Sequence, residues 1–203
     1  MADRGTKIEL ILEIKASFNP FKAILSRGFS MVTAFFLLYL YSSDYSMKHT
    51  LTVHYEILEH WSELNEEEQL LVQKAQEASL KAYAPYSNFL VGASVLLQNG
   101  EIVTGNNQEN IAYPSGLCAE RVALFYVGAN YPDQAVKTLV VVAKGTLVKP
   151  EDCISPCGSC RQVIAESEFR QKTPIRMILV AQNGRTFVFD KASDLLVFPF
   201  GMD

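Results

Sequence analysis

An α/β fold built on one mixed sheet is what this sequence predicts, and three observations predict it. Segments with strand period alternate along the chain with segments of helical period. Two Asn-Gly pairs, Asn99-Gly100 and Asn183-Gly184, each separate two strand-like runs, which marks antiparallel hairpins within that alternation. The chain has 203 residues, 49% apolar and 20% charged, enough to bury one core without disulfide staples.

Each element has a local reason. From Lys48, the residues Leu51, Val53, Tyr55 and Ile57 alternate with Thr52, His54 and Glu56, which predicts a strand with His54 facing solvent. A helix follows. Ser62 or Asn65 can cap it, Glu66, Glu67 and Glu68 fill its first turn, and Pro85 stops it. Lys74 and Lys81 fall late, and Leu70, Leu71, Ala75, Ala78 and Ala82 form its apolar stripe. The acidic start reads as a favourable helix terminus rather than a binding site. Asn88–Asn107 then reads as a hairpin, 118–129 as a helix and Thr138–Lys144 as a fully apolar strand. Gly158–Glu168 is helical in character, Pro174–Gln182 is a strand, and Arg185–Asp190 completes the second hairpin. The tail is apolar and rich in phenylalanine.

Charge narrows the function. Eighteen basic against 22 acidic side chains give a net charge of -4, so there is no basic excess to neutralise a phosphate backbone. The first 46 residues differ from the rest. They carry five basic and four acidic side chains, against 13 and 18 in the remainder, and hold an uncharged run from Gly28 to Ser43. Three readings compete for this extension: a signal or anchor segment, a packed N-terminal helix, or a translation start that truly lies at Met47. The last is favoured, because a new pattern begins directly after Met47. Residues 1–46 are therefore set apart as an atypical extension, and 47–203 as the domain.

Four cysteines matter through their spacing. Cys118-Ala119-Glu120-Arg121 and Pro156-Cys157-Gly158-Ser159-Cys160-Arg161-Gln162 both stand at the expected starts of helices. Helix N-termini favour thiolate. Cys157 and Cys160 can grip one ion from one turn, with Cys118 as a third ligand, leaving a fourth tetrahedral position for water as catalytic zinc requires. Cys153 would close that position, but reads as a small apolar seat. Glu120, two residues from Cys118, is placed to move protons. Three thiolates leave zinc electron-rich, so Arg121 is expected to donate to the cysteine sulfurs. Arg161 reads either as an assistant or as a solvated side chain.

At these residues the chain resembles the zinc-dependent nucleoside deaminases, in particular the small homotetrameric cytidine deaminases. The likeness also covers Ala84-Pro85-Tyr86-Ser87, Phe89-x-Val91-Gly92-Ala93, Gly105–Asn110, Tyr113-Pro114-x-Gly116 and the terminal Phe200-Gly201, about residues 62–203 in all. It implies a three-layer α-β-α fold around a central mixed sheet of five strands. It also implies one Zn2+ per chain on Cys118, Cys157 and Cys160, with Glu120 as proton shuttle. Asn107 and Glu109 resemble the pair that grips the sugar 3′-hydroxyl, as an amide and a carboxylate can. Asn110 and Tyr113 belong to the same sugar-side loop, with Tyr113 reaching toward a neighbouring subunit's site. The Ala119 N–H resembles the group that holds the pyrimidine carbonyl. Phe89, and Phe200 from another subunit, resemble the aromatic walls of the base pocket.

The implied reaction is hydrolytic: cytidine or 2′-deoxycytidine and water give uridine or 2′-deoxyuridine and ammonia, in cytoplasmic pyrimidine salvage. The implied partners are a small nucleoside and further copies of the chain, with no nucleic acid, no redox cofactor and no membrane for the catalytic domain. Four departures stand out: Asn106 in place of a small residue or cysteine, a long link at 130–153 between the two cysteine motifs, Pro199 before Phe200, and the strand at 47–61, an extra edge or intersubunit element. The competing readings are deamination of another cytosine compound, a zinc-stabilised scaffold, and a redox Cys-x-x-C. The presence of Glu120 opposes the scaffold, and Cys118 opposes the redox reading.

Overall fold

The computed structural model describes residues 5–10 and 51–201. The readings made for residues 1–46 lie outside them, except that Gly5–Leu10 forms strand β1. The chain divides into two compact units, Met1–Thr6 with His54–Asp203, and Lys7–Val53. From Leu51 onward, the element order is β2 (Leu51–Leu58), α1 (Glu66–Ser79), β3 (Leu90–Leu97), β4 (Ile102–Asn106), α2 (Ala119–Asn130), β5 (Val136–Lys144), α3 (Gly158–Gln171), β6 (Arg176–Val180) and β7 (Thr186–Phe189).

Six of the strands lie side by side in the order β2-β7-β6-β5-β3-β4. Only β5 and β6 pair in parallel; the other neighbours are antiparallel. These six strands form a mixed sheet as expected, one strand more than the five the resemblance implied. The addition is β2, which adds to the second hairpin through Glu56, Ile57 and Leu58. Tyr55 on this strand stacks on Phe189 at 5.4 Å, so the added edge is also packed.

Both hairpins turn where the Asn-Gly pairs stand. Gly100 and Gly184 take φ of 89° and 93°, the left-handed region where a Cβ is penalised. Asn65 caps α1 by accepting from the Glu68 amide at 2.9 Å. The helix is shorter than expected, ending at Ser79 well before Pro85. Its buried side is Leu71, Val72, Ala75 and Ala78, so the expected stripe holds at Leu71, Ala75 and Ala78, with Val72 in place of the exposed Leu70. Glu68 is buried in that first turn and pairs with Arg176 Nε at 2.7 Å.

Two glycines show how the layers stack. Gly105 pairs with Ala93, and Gly92 with Asn106, so successive pairs face opposite sides of the sheet. A Cβ on Gly92 would lie 1.9 Å from the Ala75 carbonyl oxygen of α1. A Cβ on Gly105 would lie 2.5 Å from the Ala119 carbonyl oxygen and 2.7 Å from the Ala123 amide of α2. Helices therefore cover both faces, α1 on one and α2 on the other, which is the three-layer α-β-α arrangement. A core of Leu71, Val72, Ala75, Leu96, Val140, Val142, Ile178 and Val180 fills the α1 side. Strand β5 is buried from Thr138 to Ala143 without interruption, as a central strand covered on both faces must be.

Candidate active site

The site is built on two helix starts. Cys118 is the N-cap residue of α2 and Cys157 that of α3, both with extended backbone and neither side chain spent on capping. Their thiols are therefore free to point away from the helix ends. Cys160, one turn into α3, is fully buried. The Cys118 and Cys157 sulfurs are 3.8 Å apart, those of Cys157 and Cys160 3.5 Å, and all three lie within 4.8 Å of one another. A tetrahedral zinc with Zn–S bonds of about 2.3 Å sets its sulfurs roughly 3.8 Å apart. The donor chemistry and the spacing thus both fit one zinc ion. Cys153 is exposed and is not one of this group of three.

The sulfurs share protons. The Cys118 thiol is held down to about 5, first by a hydrogen bond from Cys160, then by Arg121 and Cys157, against the opposing effect of burial. Cys160 is pushed strongly up, because it donates that bond and is buried. A divalent cation would replace the shared protons with a positive charge. Arg121 Nη2 reaches Cys118 Sγ at 3.8 Å and the Gly116 carbonyl at 3.4 Å, the contact with sulfur that the charge argument anticipated.

Glu120 is 4% exposed, in the first turn of α2. Burial raises its carboxyl above the ordinary range. Its own backbone amide and the neighbouring Cys160 partly offset that rise, while the Cys118 charge adds to it. The carboxyl therefore faces the sulfur cluster from within the protein. Ala119, fully buried, opens the same helix, whose first N–H groups have no partners within the helix.

Beyond the sulfurs, the structure brings Asn107, Glu109 and Phe89 together. Asn107 is buried and bridges the start of β3: its Nδ2 donates to the Phe89 carbonyl at 2.9 Å, and its Oδ1 accepts from the Val91 amide at 2.8 Å. The Glu109 carboxylate accepts from the Tyr86 amide at 2.9 Å, the Ser87 amide at 3.3 Å and the Ser87 hydroxyl. Slight desolvation would raise its pKa, but the Ser87 hydroxyl and the two amides outweigh it and lower the value below the ordinary range. Asn110 closes a local turn by accepting from Ala112 at 2.9 Å, and Tyr113 is 78% exposed, edge-on to Tyr86. Asn106, a departure in the sequence, donates to the Ala78 carbonyl at 3.1 Å and so ties β4 to the end of α1.

Phe200 stands apart from these, 87% exposed on the tail. Its backbone is held to α3 by Gln162, which accepts from the Phe200 amide at 3.0 Å and donates to its carbonyl at 3.2 Å. Arg161 neither serves the sulfurs nor is merely solvated. It donates to the Pro156 and Leu195 carbonyls, each at 2.9 Å, and to Ser155 Oγ at 2.8 Å. Sequence reasoning missed Ser87 and Gln162 as supports. Both stand within quoted motifs, and only the tertiary contacts reveal what they hold.

Comparison with known proteins agrees with this geometry. Residues 65–175 match the family described as the cytidine and deoxycytidylate deaminase zinc-binding region. The cytidine deaminase of Sporosarcina psychrophila is 45% identical over 96 residues, which are 47% of this chain and 66% of that protein. The cytidine deaminase of Mycobacterium tuberculosis strain H37Rv is 33% identical over 137 residues, 66% of this chain and 90% of that one. Among solved structures, cytidine deaminase from Burkholderia pseudomallei superposes with a TM-score of 0.57 at 35% identity, covering 68% of this chain and all of that one.

Proposed function

The chain belongs to the cytidine and deoxycytidylate deaminase family, and on that premise we propose that it hydrolyses cytidine and 2′-deoxycytidine to uridine and 2′-deoxyuridine, releasing ammonia. The observation that carries this reading is the buried Glu120 facing three sulfurs spaced for one zinc ion. Zinc held there supplies the Lewis acidity that lets water lose a proton near neutral pH.

The chain's own residues do the rest. Glu120 takes up the proton from water as oxygen bonds to C4 of the base, and delivers a proton to ring N3. Glu120 then takes the second proton from the new C4 hydroxyl as this becomes the carbonyl, and passes it to the amine, so that the C4–N bond breaks and ammonia leaves. Its raised pKa suits a group that must both accept and release protons in one cycle. Arg121 draws charge from Cys118 and so keeps an electron-rich metal electrophilic. The Ala119 N–H at the α2 start receives the pyrimidine carbonyl.

The sugar is read by Asn107 and Glu109. After the contacts already made, Asn107 keeps one N–H and one lone pair, and Glu109 keeps one acceptor position, a set that matches a hydroxyl as donor and acceptor. Asn110 and Tyr113 shape that loop, and Phe89 walls the base. Phe200, exposed on its own subunit, completes the pocket of a neighbour in a homotetramer. The setting is pyrimidine salvage in the cytoplasm, where thiols such as these four stay reduced. No helix among the described residues is long and apolar enough to cross a membrane.

Ultraviolet absorbance tests the reading directly. Wild-type protein carrying about one zinc per chain should convert cytidine to uridine, while Glu120→Ala holds the same zinc and loses at least about 10³-fold in rate. Zinc-loaded wild type that turns over neither nucleoside would move the substrate to another cytosine compound.

A further inference from the structure

We propose that Ser87 is a positioning residue that couples recognition of the sugar to placement of the base wall, by a hydrogen-bond relay joining Phe89 to Glu109. The inference rests on the assignment of Glu109 to the sugar and Phe89 to the base. Nothing in the composition of the Pro85-Tyr86-Ser87 motif indicates the role; the contacts do.

A serine hydroxyl has one proton to give and two lone pairs. At Ser87 the proton goes to Glu109 Oε1, 22 residues away, and one lone pair accepts the Phe89 amide at 3.0 Å. The backbone amides of Tyr86 and Ser87 take the other carboxylate oxygen at 2.9 and 3.3 Å. Glu109 is therefore held on both oxygens by two adjacent residues, Tyr86 and Ser87, and the Ser87 hydroxyl bonds to both Glu109 and the Phe89 backbone. Asn107 fixes the same segment from the other side, through the Phe89 carbonyl and the Val91 amide. Phe89 is thus pinned at its N–H by Ser87, which also holds Glu109, and at its C=O by Asn107.

Two consequences follow. The carboxylate cannot rotate to meet a sugar hydroxyl in alternative ways, because two of its orientations are already spoken for. A shift of Glu109 on binding sugar is also passed through the hydroxyl to Phe89. Such a role belongs to orientation and not to proton transfer, so it should appear in the discrimination between sugars and not in the chemical step.

The test compares cytidine with 3′-deoxycytidine, which lacks the hydroxyl that Glu109 reads. In Ser87→Ala, kcat/KM for cytidine should fall about tenfold, mostly in KM, while that for 3′-deoxycytidine changes less than about twofold. A partly unfolded preparation scales both substrates equally, so the ratio is immune to folding yield. Ser87→Thr, which keeps the hydroxyl, should retain the wild-type ratio. Amide hydrogen exchange gives a readout free of turnover: the Phe89 N–H should exchange faster in Ser87→Ala and at the wild-type rate in Ser87→Thr. Equal losses on the two nucleosides, or unchanged exchange at Phe89 in Ser87→Ala, would overturn the relay. Failure of the wild type to deaminate cytidine at all would strike the proposed function instead, and leave the exchange result to stand or fall by itself.

Discussion

The sulfur cluster and the loop that carries Asn107 and Glu109 solve opposite problems. Around the sulfurs, three thiols crowd together beside Arg121 and Glu120, and hydrogen bonds among them hold Cys118 toward thiolate. Around Asn107 and Glu109, the side chains are met by the backbone of residues 86–91 through conventional hydrogen bonds. One half of the site has the spacing for an ion and would be completed by it. The other is complete before any ligand arrives and offers only its leftover valences. Removing a ligand-dependent group should therefore abolish function with a strong effect on metal content, whereas removing a prearranged group should damage the fold and recognition together.

The largest effect that sharpens this contrast is expected at Cys160. Cys160→Ala should lower bound zinc from about one per chain to background and reduce turnover by at least about 10³-fold, as read by metal analysis and the absorbance assay. If the variant kept its zinc, the cluster would not be the metal-dependent half. Asn107→Ala comes next. It leaves the Phe89 carbonyl and the Val91 amide without their side-chain partner, which should cost about 2 kcal/mol in urea unfolding and raise KM for cytidine about tenfold, with zinc retained. A change in KM with unaltered stability would mean that the loop is not prearranged by Asn107.

The smallest effect is a pH dependence at Glu109. Its pKa lies below the ordinary 4.5, so its charge contributes stability that is present above that value and is lost as pH falls through the lowered one. Glu109→Gln should melt slightly below wild type at neutral pH, and the gap should close under acid. Solvent screening keeps that gap small. A gap that widened on acidification would reverse the sign and remove the stabilising role assigned to the carboxylate.

Much of this was readable in the chain, for reasons that differ by element. The hairpins were legible because Asn-Gly demands a backbone that few other pairs adopt. The cluster was legible because Cys-x-x-C and Cys-x-Glu each place two functional groups within one helical turn. The end of α1 was not, since Leu80 and Lys81 are as compatible with a helix as with the turn they form, and the packing of Ser79 beneath β3 decides the matter. Leu70 was misplaced because adjacent leucines and a valine leave the helical phase open by one position. Arg161 was misread for a different cause: its acceptors, Pro156, Ser155 and Leu195, are brought to one place only by the return of the tail. The extra strand β2 was recognised as an element, but its pairing with β7 depends on contact between distant parts of the chain.

Gly105 gives the sheet a second occupation, as a gauge. The missing side chain lets the first turn of α2 rest almost on the backbone of β4, and that turn carries Glu120 and begins at Cys118. The height of the helix above the strand is thus the height of Cys118 and Glu120 relative to α3. A single added methyl, chemically inert, would lift both. In an assay it would look like a fault in catalysis, although no reacting group had been altered.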